Sequence, residues 1–502
     1  MDFFTGLLNQ GTTQSWTALP PSDPAQWKQF PPDDEMLRLR AWEHNTALFR
    51  GRHSDIFASV QSAYQRLEIA KMEDAADALH HAGKLYLASN YLGLLSKTCA
   101  SFLFGEGIKV KPANGDERLK AQLLQIMEQN EMQRLNLLQA RTASAQGYAF
   151  YRVRWDRLPD WQEEGVIIEA IPGKHVFPYV TPDNIKIPNG YVIAYPIEYN
   201  EQSYLRREIH TPGRVENKLN RIKGERIGEE VALSTIPDLA SLQPIFQTNY
   251  PGLFIQYVPN LESVDEFWGI SDYEDIENLQ DALNNRITRI DEILDKHSNP
   301  ILTVPLDMMT YDPNTHRYYI RGQDKEVVGI DNLEVAGKLP RYVTWDAQLS
   351  AAFTQIDKIT ELMMMVSQMS PSVFGTNEGK ISAESAKALK IRMIQTLAKI
   401  NDKRLPFDSA LKNIFHASLW LQNQYGKGER YLAKDIREYN VDLGWKDGVP
   451  DDELENIQIV GLKKSAGVLS IRSAIQEARG LEGRALDKEE AAVKADMTEG
   501  MM

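Results

Sequence analysis

The chain has 502 residues, of which 42% are hydrophobic and 25% charged, and this length predicts about two to four structural modules rather than one compact core. Its formal net charge of −14 argues against tight nucleic-acid binding through the average surface, because such binding depends on a basic face that neutralises phosphates. Cys99 is the only cysteine, so an intramolecular disulfide is impossible. The N-terminal segment lacks the pattern of a signal peptide, and no apolar run of about 18 residues occurs, so we expect no membrane span.

The first half of the chain combines helical and strand patterns. Residues 1–33 are rich in Pro, Gly, Thr and Ser and predict a flexible or extended arm. Residues 34–104 indicate helices that end at Gly105, and residues 117–146 indicate a further helical run that ends at Gly147. The period then changes, with strand patterns at 148–156, 165–171, 191–199 and 253–259 and hairpins or loops at 200–245. This half is therefore expected to be α+β.

The second half begins with a long amphipathic helix. The stretch from Ser271 to Glu274 fits a capping box, so we expect the helix to begin there and to end at Pro300. Apolar residues recur along it at spacings of three and four, namely Ile276, Leu279, Leu283, Ile287, Ile290 and Leu294. Short strand patterns follow between residues 300 and 345, at "ILTVP", "RYYIR", "EVVGI" and "RYVTW".

Helices dominate the remainder of the sequence. A second long helix is predicted at about 346–369, and a third runs from Ser382 to about residue 425, with a kink or break expected at Pro406. A strand at 438–444, short helices at 451–466 and 471–479 and a frayed tail complete the pattern.

The stretch "FGTNEGKIS" at 374–382 superficially resembles a phosphate-binding loop. Only three residues separate Gly375 from Gly379, and Ile381, which follows Lys380, offers no hydroxyl group to a magnesium ion. The preceding segment is a predicted Met-rich helix rather than a strand. We therefore interpret the stretch as a loop between two helices and not as a nucleotide site.

The order of these elements resembles that of the portal protein of tailed bacteriophages, over about residues 85–480. The segments that carry the resemblance are "YLGLLSKTCASFLFGEGIKVKP", "QGYAFYRVRWD", "GISDYEDIENLQDALNNRITRIDEILDKHSNPILTV", "MSPSVFGTNEGKISAESAKALKIR" and "VPDDELENIQIVGLKKSAGVLSIRSAI". Each segment alone is unspecific, and their order along the chain makes the resemblance.

The resemblance implies an α+β fold of portal type, with an α/β wing, a stem of long helices, a small strand-rich clip and a helical crown, assembled as a ring. The corresponding segments are a flexible N-terminal arm (1–33), the wing (34–270), the first stem helix (271–299), the clip (300–345), the second stem helix (346–369), the tunnel loop (370–382), a long kinked helix that returns to the wing (383–449), the crown (450–480) and a flexible tail (481–502).

The resemblance also implies a function. Portal proteins form a homo-oligomeric ring of about twelve subunits with head-to-tail interfaces, through which double-stranded DNA enters and leaves the capsid at one vertex. The implied partners are the large terminase, the neck adaptor or head-completion protein, and the major capsid and scaffolding proteins. The implied location is the virion, with the host cytoplasm during assembly. We expect no enzymatic activity, cofactor or metal. The alternatives are another phage head or neck component, such as a minor capsid protein that shares some helices, and, less favoured, an enzyme.

Three sets of residues are candidates for this function. The expected tunnel-loop residues are Ser370, Ser372, Gly375, Thr376, Asn377, Glu378, Gly379 and Lys380. The expected DNA-steering cations are Lys387, Lys390, Arg286 and Arg289, for which a solvated surface charge is the simpler interpretation. The expected subunit-interface residues are Leu279, Leu283, Ile287 and Ile290, although an intramolecular helix bundle explains their spacing equally well. A ring of twelve such chains would carry a charge of about −170, which repels phosphate and keeps moving DNA from sticking.

Overall fold

The computed structural model describes residues 27–57, 86–157, 163–181, 184–298, 301–305, 310–313, 317–319, 327–330, 341–343, 349–374, 390–427, 430–446, 453–479 and 483–499. The chain forms two compact units. The first consists of residues 1–368 and 400–446, and the second of residues 369–399 and 447–502. The described residues combine helices and sheets, which confirms the α+β fold class.

The helices of the first unit are α1 (Met36–Phe49), α2 (His53–Ile56), α3 (Tyr91–Phe104), α4 (Glu117–Gln129), α5 (Met132–Gln146), α6 (Glu277–Ser298) and α7 (Leu349–Val366). Helix α8 (Ile394–Tyr425) begins in the second unit and continues in the first. The second unit also contains α9 (Glu453–Ser465), α10 (Ile471–Arg479) and α11 (Gly483–Glu499). Helix α8 runs without interruption through Pro406, so the proline does not break it.

The strands are β1 (Lys109–Pro112), β2 (Tyr148–Arg157), β3 (Glu164–Ile171), β4 (Val176–Thr181), β5 (Asn184–Tyr199), β6 (Gln202–Thr211), β7 (Arg214–Lys223), β8 (Arg226–Val231), β9 (Ile245–Gln247), β10 (Ile255–Pro259), β11 (Ile301–Pro305), β12 (Thr310–Asp312), β13 (Arg317–Tyr319), β14 (Val327–Ile330), β15 (Arg341–Val343) and β16 (Val441–Gly444). The largest sheet, here called the wing sheet, has the order β4-β5-β6-β7-β8, and β9 also pairs with β7. The other sheets are β10-β2-β3, β14-β11-β15, β12-β13 and β1-β16.

The chain turns sharply from α5 into β2 at Gly147, as the sequence predicted. This glycine has a φ of 85°, a left-handed conformation that side chains disfavour. A Cβ atom there would lie 2.2 Å from the carbonyl oxygen of Gly269. The close approach lets the strand that follows pack into an aromatic core with Tyr148, Phe150 and Trp268, all of which are buried.

Arg38 joins helix α1 to this aromatic core. Its guanidinium donates to the hydroxyl oxygen of Tyr148 at 2.9 Å and to the carbonyl oxygen of Gly173 at 2.8 Å. The same group lies 4.2 Å from the ring centre of Trp268 and pairs with the carboxylate of Glu35. Because the charge is buried, these contacts replace the water that it loses on folding.

Two terminal segments differ from the sequence-based expectation. Residues 27–30 are not a flexible arm: they pair with β8, while residues 1–26 lie outside the described residues. The predicted flexible tail contains helix α11, whose Leu486 is buried. Arg472 of α10 also forms an ion pair with Asp487 of α11 at 2.8 Å. The alternation of small and charged residues suggested fraying, but burial of one leucine and several ion pairs hold this helix against α10.

The capping box predicted at residues 271–274 is wrong, because helix α6 begins at Glu277. The hydroxyl of Ser271 donates to the carbonyl oxygen of Ala145 at 2.7 Å, and it accepts from the backbone N–H of Tyr273 at 3.1 Å. Burial of the Tyr273 ring holds residues 272–276 in turns instead of the first helical turn. Tertiary packing therefore overrides the local capping signal.

His53 anchors α2 to α6, the predicted first stem helix. The side-chain amide of Asn284 donates to Nδ1 of His53 at 2.9 Å, and Nε2 of His53 donates to the carbonyl oxygen of Leu48 at 3.2 Å. Both ring nitrogens are used by the neutral imidazole. Burial lowers the pKa of His53 below its ordinary value of 6.5.

This histidine predicts a loss of stability in acid. The unfolded chain binds the proton more readily than the folded chain, so the contribution of His53 is present above about pH 6.5 and is lost as the pH falls through the lower, folded pKa. The variant His53→Gln should be less stable than the wild type near neutral pH. On acidification, however, its melting temperature should fall by less than that of the wild type. Equal losses in the two proteins, measured by thermal unfolding across this pH range, would contradict the assignment.

Candidate functional site

The two predicted stem helices pack against each other within one chain. Helix α6 contacts α7 and α3, and its Leu283 and Ile290 are buried. Leu279 and Ile287 are half-buried. Intramolecular packing therefore accounts for much of the apolar stripe on α6, and the role of these four residues in a subunit interface stays a prediction.

Helix α7 has an exposed apolar surface near its C-terminal end. Leu362, Met365 and Val366 are exposed there, with Met365 at 70% of its full accessibility. Phe353, two to three turns earlier, is also exposed. Isolated exposed apolar residues are ordinary, but three in five residues of one helix make a candidate protein–protein contact. We call Leu362, Met365 and Val366 the α7 apolar patch.

The buried face of α6 is partly polar, and its polar side chains fix residues 87–92. The backbone N–H of Ser89 donates to Oδ1 of Asn284 at 2.9 Å, and that of Leu87 donates to Oγ1 of Thr288 at 3.0 Å. The backbone N–H of Leu92 donates to the side-chain oxygen of Gln280 at 3.3 Å. The apolar periodicity of α6 carries no signal for these contacts, because their partners are remote in sequence.

A buried ion pair joins the long helix α8 to the turn that precedes α6. Nζ of Lys403 donates to the carboxylate oxygens of Asp272 at 2.8 and 3.0 Å. The two side chains are 3% and 0% exposed. Lys403 also donates to the side-chain oxygen of Asn260, and the hydroxyl of Ser144 donates to Asp272 at 2.5 Å. Every charge in this cluster has a direct partner.

A chain of hydroxyl groups extends the cluster to helix α3. The hydroxyl of Ser144 lies 3.0 Å from that of Ser96, and Ser96 lies 2.8 Å from the hydroxyl of Tyr273. The Lys403 cluster, defined as Lys403, Asp272, Asn260, Ser144 and Ser96, thus connects α3, α5, α8, the end of β10 and the turn before α6. Its ion pair spans 131 positions of the chain, and no local pattern in the sequence signals it.

The structure describes two of the eight predicted tunnel-loop residues. Ser370 and Ser372 lie at the start of the predicted loop, around a short 3₁₀ turn over Pro371–Phe374. The backbone N–H of Ser370 donates to Oγ1 of Thr396 in α8 at 2.8 Å. This contact ties the beginning of the loop to the first turn of the long helix. The other six, Gly375, Thr376, Asn377, Glu378, Gly379 and Lys380, lie outside the described residues.

The predicted DNA-steering cations are dispersed. Arg286 is half-buried and Arg289 is exposed on α6, while Lys390 is half-buried just before α8. Lys387 lies outside the described residues. Two acidic residues, Glu274 and Asp275, precede α6 and are exposed. Partial burial of the Glu274 carboxyl, together with the charge of Asp275, raises its pKa.

Within the part of the chain that the structure describes, no group of three or more His, Cys, Asp or Glu side chains could hold a metal ion. The same residues include no helix that is both long and apolar enough to cross a membrane. The polar side chains that converge in the first unit are instead committed to one another, as in the Lys403 cluster.

A family model described as "Phage portal protein, SPP1 Gp6-like" matches residues 70–501 of the chain. The chain belongs to this family of phage portal proteins. The match extends over residues 70–501 rather than over a few helices, so the alternative of a minor capsid protein that shares only some helices is set aside. A search of the curated proteins finds no match.

Solved structures with similar chains come from gene transfer agent particles. A chain from the neck of a native particle is 11% identical with a TM-score of 0.38, and the match covers 77% of this chain and 88% of that one. A chain from the neck of an empty particle is 12% identical with a TM-score of 0.44, and covers 82% of this chain and 94% of that one.

Portal proteins are structural components of virions, and a DNA channel and terminase docking are typical roles of the family. The identification as a phage portal protein is therefore confirmed, together with its packaging role. In this portal protein the Lys403 cluster ties the turn before α6, the predicted first stem helix, to helix α8.

The Lys403 cluster predicts a large effect when one charge is removed. Lys403→Met leaves the Asp272 carboxylate buried without a counter-charge and should destabilise the protein by about 3–5 kcal/mol. Asp272→Asn should have a similar effect, and the double variant should lose less than the sum of the two single losses. Denaturant unfolding of the four proteins measures this.

The matched control is Lys412→Met on the same helix. Lys412 pairs with Asp408 at 2.7 Å, but both side chains are partly exposed, so its removal should cost less than about 1 kcal/mol. Equal losses of unfolding free energy in Lys403→Met and Lys412→Met would contradict the importance of the buried pair. Strict additivity in the double variant Lys403→Met, Asp272→Asn would contradict it as well.

Proposed function

We propose that this portal protein assembles into a closed ring of about twelve copies, which forms the channel for double-stranded DNA at one vertex of the capsid. The observation that carries the proposal is the family match over residues 70–501. A ring requires two different surfaces on each subunit that meet head to tail. The chain contains suitable apolar surface beyond that used for its own core.

The α7 apolar patch is the proposed stem contact between neighbouring subunits. Its side chains are exposed in a single chain, whereas Leu283 of the α6 stripe is already buried by its own chain. A ring contact between stem helices would remove the patch from water and gain roughly 25 cal/mol for each Å² of apolar area buried. The predicted interface residues on α6 would then contribute indirectly, because α6 packs against α7 within the same subunit.

Met365→Asp should therefore abolish ring assembly without unfolding the subunit. A carboxylate at this position costs nothing in the isolated chain, but it would be desolvated without a partner in the assembled ring. Size-exclusion chromatography with light scattering measures the assembly, and circular dichroism measures the fold. Ile287→Asp should impair both, because Ile287 is half-buried within its own chain.

Leu432→Asp provides the matched control, since Leu432 is 69% exposed but lies outside the stem. This variant should assemble as the wild type does. Intact rings from Met365→Asp, or equal loss of rings from both variants, would contradict the stem assignment.

The clip is the proposed docking site for the terminase and later for the neck adaptor. Strands β11 to β15 lie in sequence between α6 and α7, and these two helices pack against each other. An insert between two packed helices is placed at the end of the pair where one helix stops and the other starts. For the same reason, the clip would lie at one end of the ring, where partner proteins could reach it.

Deletion of residues 306–336 should spare the wing and abolish terminase binding. The deletion keeps β11 and β15, which pair directly with each other in antiparallel register, so the two stem helices remain connected through a hairpin. A pull-down with purified large terminase measures binding. Undiminished binding by a variant that still forms rings would contradict the clip assignment.

The loop at 370–382 is the proposed narrowest part of the channel. It carries Gly375 and Gly379, which permit backbone conformations that other residues disfavour, and its start is held by the contact between Ser370 and Thr396. A loop with small and polar side chains between fixed helices could shift as DNA passes. Lys380 would attract a DNA phosphate without binding it tightly, because the proposed ring is acidic as a whole.

Replacing both Gly375 and Gly379 with alanine should leave rings intact and reduce the amount of packaged DNA. Lys380→Ala should change packaging much less, because no nucleotide chemistry depends on that lysine. The measurement is nuclease-protected DNA in heads built with each variant. Normal packaging by the double-alanine variant would refute the loop assignment, and an ATPase activity lost in Lys380→Ala would refute the non-enzymatic one.

A further inference from the structure

Three consecutive methionines lie near the C-terminal end of helix α7. Met363 and Met364 are 0% and 7% exposed, whereas Met365 is 70% exposed. Successive side chains of a helix point about 100° apart, so the first two face the interior of the subunit and the third faces solvent. The same thioether group therefore occupies two different environments within one helical turn.

Met365 also differs from the other methionines whose side chains the structure describes. Those outside the run of three are buried or half-buried, namely Met36, Met127, Met132, Met369 and Met393. Within this described group, Met365 is the exposed member. A reagent dissolved in water therefore reaches its sulfur atom more readily than the sulfur atoms of the others.

The surroundings of Met365 on the helix surface are apolar. Leu362 precedes it by one turn and Val366 follows it, and both are exposed members of the α7 apolar patch. An ion pair joins Lys358 to Glu361 at 2.6 Å, one to two turns earlier on the helix. The sulfur atom is thus presented to solvent on an uncharged surface, which is the surface that we assign to the contact between neighbouring subunits.

A methionine thioether reacts with a peroxide by oxygen transfer. With hydrogen peroxide, the sulfur atom attacks one oxygen, the O–O bond breaks, and the proton of the new S–OH group passes to the departing hydroxide, which leaves as water. The thioether loses two electrons, and the peroxide gains them. The sulfoxide that forms is polar and accepts hydrogen bonds, so it no longer matches an apolar surface.

We propose that Met365 is a site of reversible oxidation by peroxides, and that its sulfoxide prevents a free subunit from joining the ring. This inference rests on the proposed role of the α7 apolar patch as a contact between subunits. Burial of the sulfoxide oxygen against an apolar surface would leave it without a hydrogen-bond donor, a cost that the thioether avoids. Because a closed ring repeats the same contact at every subunit, the cost would recur around the ring.

Assembly itself would end the sensitivity to peroxide. In the closed ring the α7 apolar patch would be removed from solvent, so peroxide would reach Met365 only before a subunit joins. Burial protects Met363 and Met364 in the free subunit, so oxidation of Met365 would leave the interior face of α7 unchanged. The effect would be confined to new subunits, and reduction of the sulfoxide would make them competent to assemble again.

Peroxide treatment of the full-length protein tests the selectivity of the oxidation. The monomer fraction from size-exclusion chromatography is treated with hydrogen peroxide, and tandem mass spectrometry measures the sulfoxide at each methionine over time. Met365 should be oxidised at least about tenfold faster than Met363 and Met364, because its sulfur atom is exposed. Equal rates at the three positions would overturn the proposal.

Ring assembly is then measured by size-exclusion chromatography with light scattering. Peroxide should lower the yield of rings from the wild type about tenfold or more. Methionine sulfoxide reductases for both sulfoxide epimers should restore it, with dithiothreitol as the reductant, whose two thiols become a disulfide while the oxygen leaves as water. Met365→Gln, which places a polar side chain of similar length there, should lower the yield without any oxidant.

Two leucine variants form the matched controls. Met365→Leu keeps the patch apolar, and peroxide should not change its yield of rings, whatever that yield is. Met127→Leu removes a half-buried methionine of α4, and this variant should remain as sensitive to peroxide as the wild type. Equal sensitivity of Met365→Leu and the wild type would assign the effect to another residue and overturn the proposal.

Failure of this proposal is distinguishable from failure of the stem contact. If Met365→Asp forms rings, the α7 apolar patch is not the contact, and both proposals are wrong. If Met365→Asp forms no rings but the wild type oxidised at Met365 still assembles with the untreated yield, only the oxidation proposal is overturned.

Discussion

The ion pair between Lys403 and Asp272 is the constraint on which the arrangement of the first unit depends. It is buried, its distances are 2.8 and 3.0 Å, and its further partners come from α5 and the end of β10. Such a pair adds little net stability compared with apolar packing, but it penalises any arrangement that separates its members. The pair therefore fixes the turn before α6 at one defined place relative to the long helix α8.

The chain uses one set of side chains for contacts within the subunit and leaves another set exposed for assembly. Arg38, His53 and the polar face of α6 use their hydrogen bonds within the subunit. The α7 apolar patch, by contrast, is exposed among the residues that the structure describes. A subunit whose polar groups pair internally and whose helix α7 exposes apolar side chains suits the proposed assembly into a ring.

The sequence predicted most helices and strands because their periodicity is local, as in the strand that follows Gly147 and in helices α7 and α10. It placed the start of α6 too early, since the local signal of Ser271 and Glu274 competes with burial of Tyr273. It assigned a frayed tail where α11 forms, because ion pairs such as that of Arg472 with Asp487 depend on a partner helix. The Lys403 cluster could not be predicted, because its members are remote in sequence and each is unremarkable alone. Of the tunnel-loop residues, the structure describes only Ser370 and Ser372.

Electron microscopy of the purified protein tests the central claim most directly, namely that copies of this chain close into a ring around a channel. The account predicts single particles with rotational symmetry, about twelve subunits and a central hole wide enough for a DNA duplex, ~20 Å or more across. Monomers, open filaments or compact particles without a hole, under conditions in which the subunit is folded, would contradict it.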